Sequence, residues 1–425
     1  MRRIIVLFSL LVGSAIAREI TLNQAVVQVL AGNKDLAASS LEVAKAEGRV
    51  LQAGQPRNPS LEISARSDLL FGNEGERGVT LGLSQAIPRK DRLRKAREAA
   101  SLSAEQSRAL VRDTQRQLVG EVQTLFVQVL NFNRQAEARQ RLLAAGEKLA
   151  ALIEQRYQRG EVPQTDIAPI RIENTKLAQE LQLLLAERTA TELRLKRFLG
   201  LAAEEPLVLV GDPDELTSTL SAAAGTEVVA ESRPDYEAAR VAVNQADAEV
   251  RVAKVEAYDD FTVGVTYEGD RSVFDAPIGA KRDHFLGASI SIPLPVRNKN
   301  QGRIIEQQAA HRQAEAELAA LRHGISSEVA QARAAISQLA PVLTRYREEM
   351  IPLAEQQFQA MQRAYERGEQ GIAPVFQAQQ QRFAVELDYL SHRARYAELL
   401  IALETALGAN PHLRNQSLSA SPTTP

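Results

Sequence analysis

The chain has 425 residues, a formal net charge of −2, no cysteine and no tryptophan. Without cysteine there is no disulfide framework, no thiolate metal site, no cysteine nucleophile and no lipid-anchored N-terminus; the near balance of 51 basic and 53 acidic residues gives no field for nucleic acid. Beyond the first residues no apolar run approaches the ~18 residues of a transmembrane helix, so any membrane insertion must use β-strands, because open backbone cannot face lipid.

Residues 1–17 read as a secretory signal. Arg2 and Arg3 give the positive start, Ile4 to Val12 an apolar run, and Ala15-Ile16-Ala17 a small-residue cleavage site, so the mature chain is expected to begin near Arg18. A first repeat over 18–200 then opens with a short helix at about 21–31 and a longer one at about 35–54. Two strand-like segments follow within about 58–87. A very long helix is predicted at about 90–158, a tight turn next, and a helix at about 165–199. Residues 201–224 are acidic, contain Pro206, Gly211 and Pro213, and read as a connector.

The same order recurs in a second repeat over 225–410, with helices at about 225–231 and 235–256, strands within about 259–292, and helices at about 300–366 and 373–407. Asp35 and Asp235 open similar helices; SQAIP ending at Pro88 matches SISIP ending at Pro293; YQRGE from Tyr157 matches YERGE from Tyr365; FLGL near Gly200 matches ALGA near Gly408. A copy of this length is a duplicated domain, too long for a solenoid unit. Residues 411–425 are rich in Ser, Thr and Pro and are expected to be disordered.

Both long helices carry a heptad seam: Leu118, Val122, Leu125, Val129, Phe132 and Ala136 in the first, Val329, Ala332, Ile336, Leu339 and Leu343 in the second. A rod of the predicted length reaches roughly 100 Å, and Pro341 and Pro352 are expected to kink the second one. In the strands, Leu61, Ile63 and Ala65, then Val79, Leu81 and Leu83, then Phe261, Val263, Val265 and Tyr267, then Leu286, Ala288, Ile290 and Ile292 alternate with polar or small residues. That suits a barrel with lipid outside and water inside, and equally a soluble hairpin pair with one buried face. Four strands cannot close a membrane barrel, which begins at about eight; three chains would supply twelve, and cyclic symmetry is the usual arrangement. The loops 68–77 and 269–282 would be the outer tips, with Tyr258, Phe261, Phe71 and Phe285 as candidates for interfacial girdles.

The duplicated helix–helix–strand–strand–long helix–helix order, YQRG ending at Gly160, YERG ending at Gly368, and IPLPVRNKNQG from Ile292 to Gly302 together resemble the TolC family of outer-membrane efflux proteins, over about residues 20–410. The last string looks like the cobalt–zinc–cadmium, heavy-metal branch. The resemblance implies a homotrimer with a 12-stranded outer-membrane β-barrel continued by a periplasmic α-helical coiled-coil barrel. It also implies an inner-membrane pump and a periplasmic adaptor (membrane fusion) protein docking at the helical tips. Those tips are Tyr157, Arg159, Gly160 and Glu161 in one copy and Tyr365, Arg367, Gly368 and Glu369 in the other. Asp166 is the candidate for the acidic periplasmic entrance; the second copy departs from the family there, with Pro374 and Gln377.

On this reading the chain is the exit duct of a tripartite efflux pump for divalent heavy-metal cations, held in outer-membrane lipid. The alternatives are a duct for drugs or other organic molecules, a type I secretion outlet, or a soluble periplasmic coiled-coil scaffold. His284, His311, His323, His392 and His412 show no ligand spacing, so no metal site or cofactor is expected. No Ser/His/Asp set, paired-carboxylate motif or phosphate loop appears, so no enzyme is expected. The basic run Arg89, Lys90, Arg92, Arg94, Lys95 and Arg97, echoed by Arg297, Lys299 and Arg303, reads as a solvated helix start or as a contact for lipid head groups.

Overall fold

The structure is a computed structural model and describes residues 18–68, 75–89, 91–161, 163, 167–212, 230–274 and 279–408. The expected signal at 1–17, the tail at 411–425, residues 213–224 of the connector, Phe71 and Lys90 lie outside the described residues. In chain order the elements are β1 (Arg18–Ile20), α1 (Leu22–Gly32), α2 (Lys34–Ala53), β2 (Ser60–Ser67), β3 (Arg77–Ile87), α3 (Arg92–Gln158), α4 (Ile167–Leu199) and β4 (Leu207–Leu209). A 3-10 turn at Ala230–Ser232 leads into α5 (Pro234–Val255), β5 (Phe261–Phe274), β6 (Gly279–Ser291), α6 (Gln301–Arg345), a π-helical turn (Tyr346–Met350), α7 (Ile351–Glu366) and α8 (Ile372–Leu407). The chain forms two compact units: the described residues of Met1–Ala38, Asp113–Arg233 and Gly324–Pro425 make one, Ser39–Arg112 and Pro234–His323 the other.

The strand-bearing unit holds one antiparallel sheet in the order β2-β3-β5-β6. Its register sorts the side chains by face, because residues directly opposite share a side. One face carries the rows Leu61-Leu83-Val265-Ala288, Ile63-Leu81-Tyr267-Leu286 and Ala65-Val79-Gly269-His284. The other carries Ser60-Ser84-Gly264-Ser289, Glu62-Gly82-Thr266-Gly287, Ser64-Thr80-Glu268-Phe285 and Arg66-Gly78-Asp270-Asp283. Among the described residues nothing covers the apolar face: Leu61 is 67% exposed and Leu286 80%. Phe285, expected in a lipid-level girdle, falls on the polar face, since the period of two sends it opposite to Leu286.

Beside the sheet, α3 and α5 approach through small residues, Ala99 against Ala248 and Val252 with Leu102 at the margin. Arg251 bridges to Glu98 at 2.8 Å and Arg112 to Glu237 at 2.9 Å. Each strand-to-long-helix junction turns on a non-glycine residue with positive φ, Asp91 at 56° before α3 and Asn300 at 61° before α6. Asp and Asn tolerate this region because their short polar side chains bond locally. Asn300 Nδ2 donates to the Ala253 carbonyl at 2.8 Å, and the carbonyls of Asp91 and Asn300 accept from Lys95 and Ile304. Much of the basic run here is engaged: Arg92 pairs with Asp260 at 2.8 Å, Arg94 with Asp91 at 2.8 Å and Arg303 with Glu256 at 2.9 Å.

In the helical unit, the predicted heptad seam of α3 is buried except for the half-buried Phe132, and it is wider than a two-position stripe. Val119, Phe126, Val127 and Leu130 are buried beside Val122, Leu125 and Val129, because α3 packs on more than one partner. Val127 meets Ala397, Leu400 and Ile401 of α8, and Ala136 meets Leu181 and Leu184 of α4. Val329 and Ala332 of α6 pack on Leu403, Ala406 and Leu407. A polar pair is enclosed here: Gln123 of α3 and Glu404 of α8 are 3% and 5% exposed, and Glu404 Oε2 has no hydrogen-bond partner among the described residues. The predicted kinks resolve differently at the two prolines. The helix runs through Pro341, whereas Pro352 follows a π turn in which the Ile351 N–H reaches the Tyr346 carbonyl. The wider turn makes room for a ring that has no N–H to offer.

One pairing carried no sequence signal. β1 and β4 lie parallel, with Arg18 opposite Leu207 and Ile20 opposite Leu209, so part of the expected connector is a strand. Ile20 and Leu207 are both buried. Thr21 then starts α1 with a capping box: its side chain accepts from the Gln24 N–H, and the Gln24 side chain accepts from the Thr21 N–H.

Candidate functional site

The two tip turns are built alike. Helix α3 ends with the Gly160 N–H donating to the Tyr157 carbonyl at 2.8 Å and the Glu161 N–H to the Arg156 carbonyl at 2.9 Å. Helix α7 ends with the Gly368 N–H on the Tyr365 carbonyl and the Glu369 N–H on the Ala364 carbonyl, both at 2.9 Å. This pair of bonds, 5→2 and 6→1, is the Schellman cap, and it needs a left-handed residue at its centre. Gly160 and Gly368 supply it with φ of 75° and 72°. A Cβ at either glycine would meet nothing within 4 Å, so backbone conformation, not crowding, calls for glycine.

Beneath the turns lies a core of Ile153, Ile167, Ile170, Ile372 and Val375, with Leu149, Phe358, Met361 and Tyr365 at its edge. It ties α3, α4, α7 and α8 together at their reversals. Pro169 and Pro374 each occupy the third position of the returning helix, where a missing N–H costs little. Pro163 precedes α4 and lies outside it.

The copies then differ. Ile167 comes seven positions after Gly160 but Ile372 only four after Gly368. Tyr157 is 38% exposed. Tyr365 packs on the core, its hydroxyl buried without a partner among the described residues, and the Arg156 guanidinium stands 5.4 Å from its ring centre. Arg367 holds Glu369 at 2.8 Å, and Arg156 stands 3.7 Å from Glu161. Arg159 is exposed. Asp166, the expected entrance residue, lies outside the described residues. Sequence reading missed Arg156 and the isoleucine core; the i, i+3 spacing of Ile167 and Ile170 was the available signal. Among the described residues no group of His, Asp or Glu is placed to hold a metal ion, and no helix is long and apolar enough to cross a membrane.

A duplicated helical unit reversing through paired caps, joined to a four-stranded sheet with a bare apolar face, is the architecture the sequence profile described as "Outer membrane efflux protein" matches over residues 25–201 and 227–409. The chain belongs to the outer membrane efflux protein family. It is therefore an efflux channel subunit of the outer membrane and not an enzyme. Among its relatives, the pyoverdine export outer membrane protein OpmQ of Pseudomonas putida is 25% identical, over 88% of this chain and 83% of its own length. The cobalt-zinc-cadmium resistance protein CzcC of Cupriavidus metallidurans is 23% identical, over 92% and 91%. The channel CusC superposes with a TM-score of 0.73 at 18% identity, covering 91% of both chains. The Campylobacter jejuni CmeC outer membrane channel gives 0.72 at 13% identity, covering 93% and 88%. The TolC-like fold is thus shared with these channels.

Proposed function

We propose that this efflux protein is the exit duct of a tripartite pump, closed as a homotrimer, and that its cargo is divalent heavy-metal cations. The observation that carries the trimer is the sheet: among the described residues one apolar face is bare, and the edge strands β2 and β6 have no partner along one side. Unpaired edges cannot stand in lipid. Pairing β6 of one copy with β2 of the next closes twelve strands, apolar face to lipid and polar face to water. The polar face supports a cationic cargo, since Glu62, Glu268, Asp270 and Asp283 stand on it beside Arg66. The string PLPVRNKNQG and the similarity to a cobalt-zinc-cadmium resistance protein favour the same cargo. The similarity to a pyoverdine exporter favours the second reading, an organic substrate. In this scheme residues 1–17 direct export and are removed, no lipid anchors the N-terminus, and residues 18–200 and 225–410 are the two repeats around a connector.

Light scattering corrected for detergent should give three chains per particle; a folded, monodisperse monomer would overturn the trimer. Deleting the gene should sensitise cells to zinc, cobalt or cadmium, whereas unchanged metal tolerance with new sensitivity to organic compounds would establish the second reading. The adaptor is assigned to the six turns that three copies present. Leucine at both Gly160 and Gly368 strains each left-handed cap by roughly 1–2 kcal/mol and places bulk in open space. Export should be lost while trimers remain in the outer membrane; normal export would move the docking site elsewhere.

A further inference from the structure

We propose that Arg77, Arg271 and Arg282 form a binding site for the phosphate-bearing head groups of the lipids that surround the barrel at its outer rim. The inference rests on the reading of the sheet as a lipid-facing barrel wall. The register puts Arg77 opposite Arg271 and Arg271 opposite Arg282, so three arginines stand side by side across β3, β5 and β6. They lie on the apolar face, one row beyond Ala65-Val79-Gly269-His284, at the end of the sheet where the hairpins turn. Asp270 and Asp283, a residue before the row, alternate to the other face, while Asp68 and Glu76, beyond the ends of the strands, line one cavity with Arg77 and Arg271. No carboxylate partner holds any of the three arginines among the described residues, although Arg66 on the other face pairs with both Glu268 and Asp270.

Like charges directly opposite one another destabilise a sheet, so a row of three calls for an anion. The depth identifies it. Ile87 pairs with Phe261 at the helix end of the sheet, ten residues along β3 from the arginine row. Ten residues of antiparallel strand rise ~34 Å, and a tilt of ~35–45° reduces that to ~24–28 Å, close to the ~25 Å of a barrel's apolar band. The arginines therefore sit where the hydrocarbon ends, at the level of head groups. Just below them on the same face, the Tyr267 hydroxyl and His284 Nδ1 lie 2.8 Å apart, a polar pair suited to the same boundary. Arginine at that depth costs little, and its planar fork matches phosphate oxygens two at a time.

The test uses the full-length protein extracted from its membrane in mild detergent, wild type beside R77Q/R271Q/R282Q. Phosphorylated lipid retained per particle is read by native mass spectrometry. The wild type should keep bound lipid and lose it at high salt; the triple variant should keep about tenfold less, the equivalent of one lost phosphate contact. Equal retention overturns the proposal. Micelles of a phosphorylated glycolipid should restore binding to stripped wild type, and the same lipid dephosphorylated should not. Inorganic phosphate that binds as tightly as the lipid would assign the row to free anions instead and overturn the lipid site. If the triple variant does not assemble, Arg271→Gln alone, at the centre of the row, must still lower retention, and no change overturns the proposal. Flotation with vesicles separates the two readings: protein that fails to float sinks the barrel reading beneath, while protein that floats with unchanged lipid retention sinks only the arginine site.

Discussion

Replacing Glu404 by glutamine should make the helical unit less sensitive to alkali. Glu404 lies between α8 and α3, 5% exposed, with Oε2 lacking any hydrogen-bond partner among the described residues. Burial pushes its carboxyl up to about 7, against a smaller opposing effect of the hydrogen bond from Gln123. The folded state thus holds a proton that the unfolded chain releases near 4.5. Stability from this group is fully present below about pH 4.5 and is lost as pH rises through about 7. The raised affinity for a proton amounts to about 3 kcal/mol at most, at 1.36 kcal/mol per unit. Glutamine keeps the shape and cannot ionise, so Glu404→Gln should equal the wild type near pH 4.5 and exceed it by up to about 3 kcal/mol near pH 8.5. Melting of the helical circular dichroism signal in detergent, compared at the two pH values, measures the difference. A wild type that is as stable as the variant at high pH, or that gains stability with pH relative to it, would refute the reasoning.

At the strand-to-helix junction, Asn300→Gly should be tolerated, whereas Asn300→Val should cost about 1–2 kcal/mol, because a β-branched residue resists positive φ; denaturant melts of the two variants give the comparison. Gly120→Val should destabilise by about 1–3 kcal/mol through overpacking, since even a Cβ there would crowd the Thr405 side chain; partial relief by Thr405→Ala in the same chain is the diagnostic result.

The parts legible in the sequence were those with long periods or repeated words. The strands were marked by alternation, and the register then made each alternating set a face. The four αL caps at Gly160, Gly200, Gly368 and Gly408 coincide with the repeated YxRGE and LG strings, because a left-handed cap admits few residues and so leaves the same letter in both copies. What stayed hidden had no period to show. A three-residue strand such as β1 or β4 is too short to alternate, and its partner is far away in the chain. The face of Phe285 was misjudged because a one-residue step reverses sides. The π turn before Pro352 left no mark in the sequence, which shows the missing N–H but not how the backbone absorbs it.

The tip turns show how a duplication can keep its backbone and divide its labour. Both copies retain tyrosine three residues before the cap glycine, yet the two rings differ in exposure. Tyr365 lies on the Ile153-Ile167-Ile372 core under the Arg156 guanidinium, while Tyr157 is exposed. The loop after Gly160 is also three residues longer than the loop after Gly368. Six turns in a trimer would therefore present two alternating surfaces, not one surface six times, and an adaptor ring would meet a threefold pattern. Removing the half-buried ring by Tyr365→Ala should cost about 1–3 kcal/mol of helical stability, short of the fully buried aromatic changes. Removing the exposed one by Tyr157→Ala should leave melting within about 0.5 kcal/mol of wild type and weaken adaptor binding instead. Pull-down of the adaptor by the purified trimer, run beside melts of both variants, separates the two effects. If Tyr157→Ala binds adaptor normally while Tyr365→Ala, assayed well below its melting temperature, does not, the exposed surface is the wrong one and docking follows the packed copy.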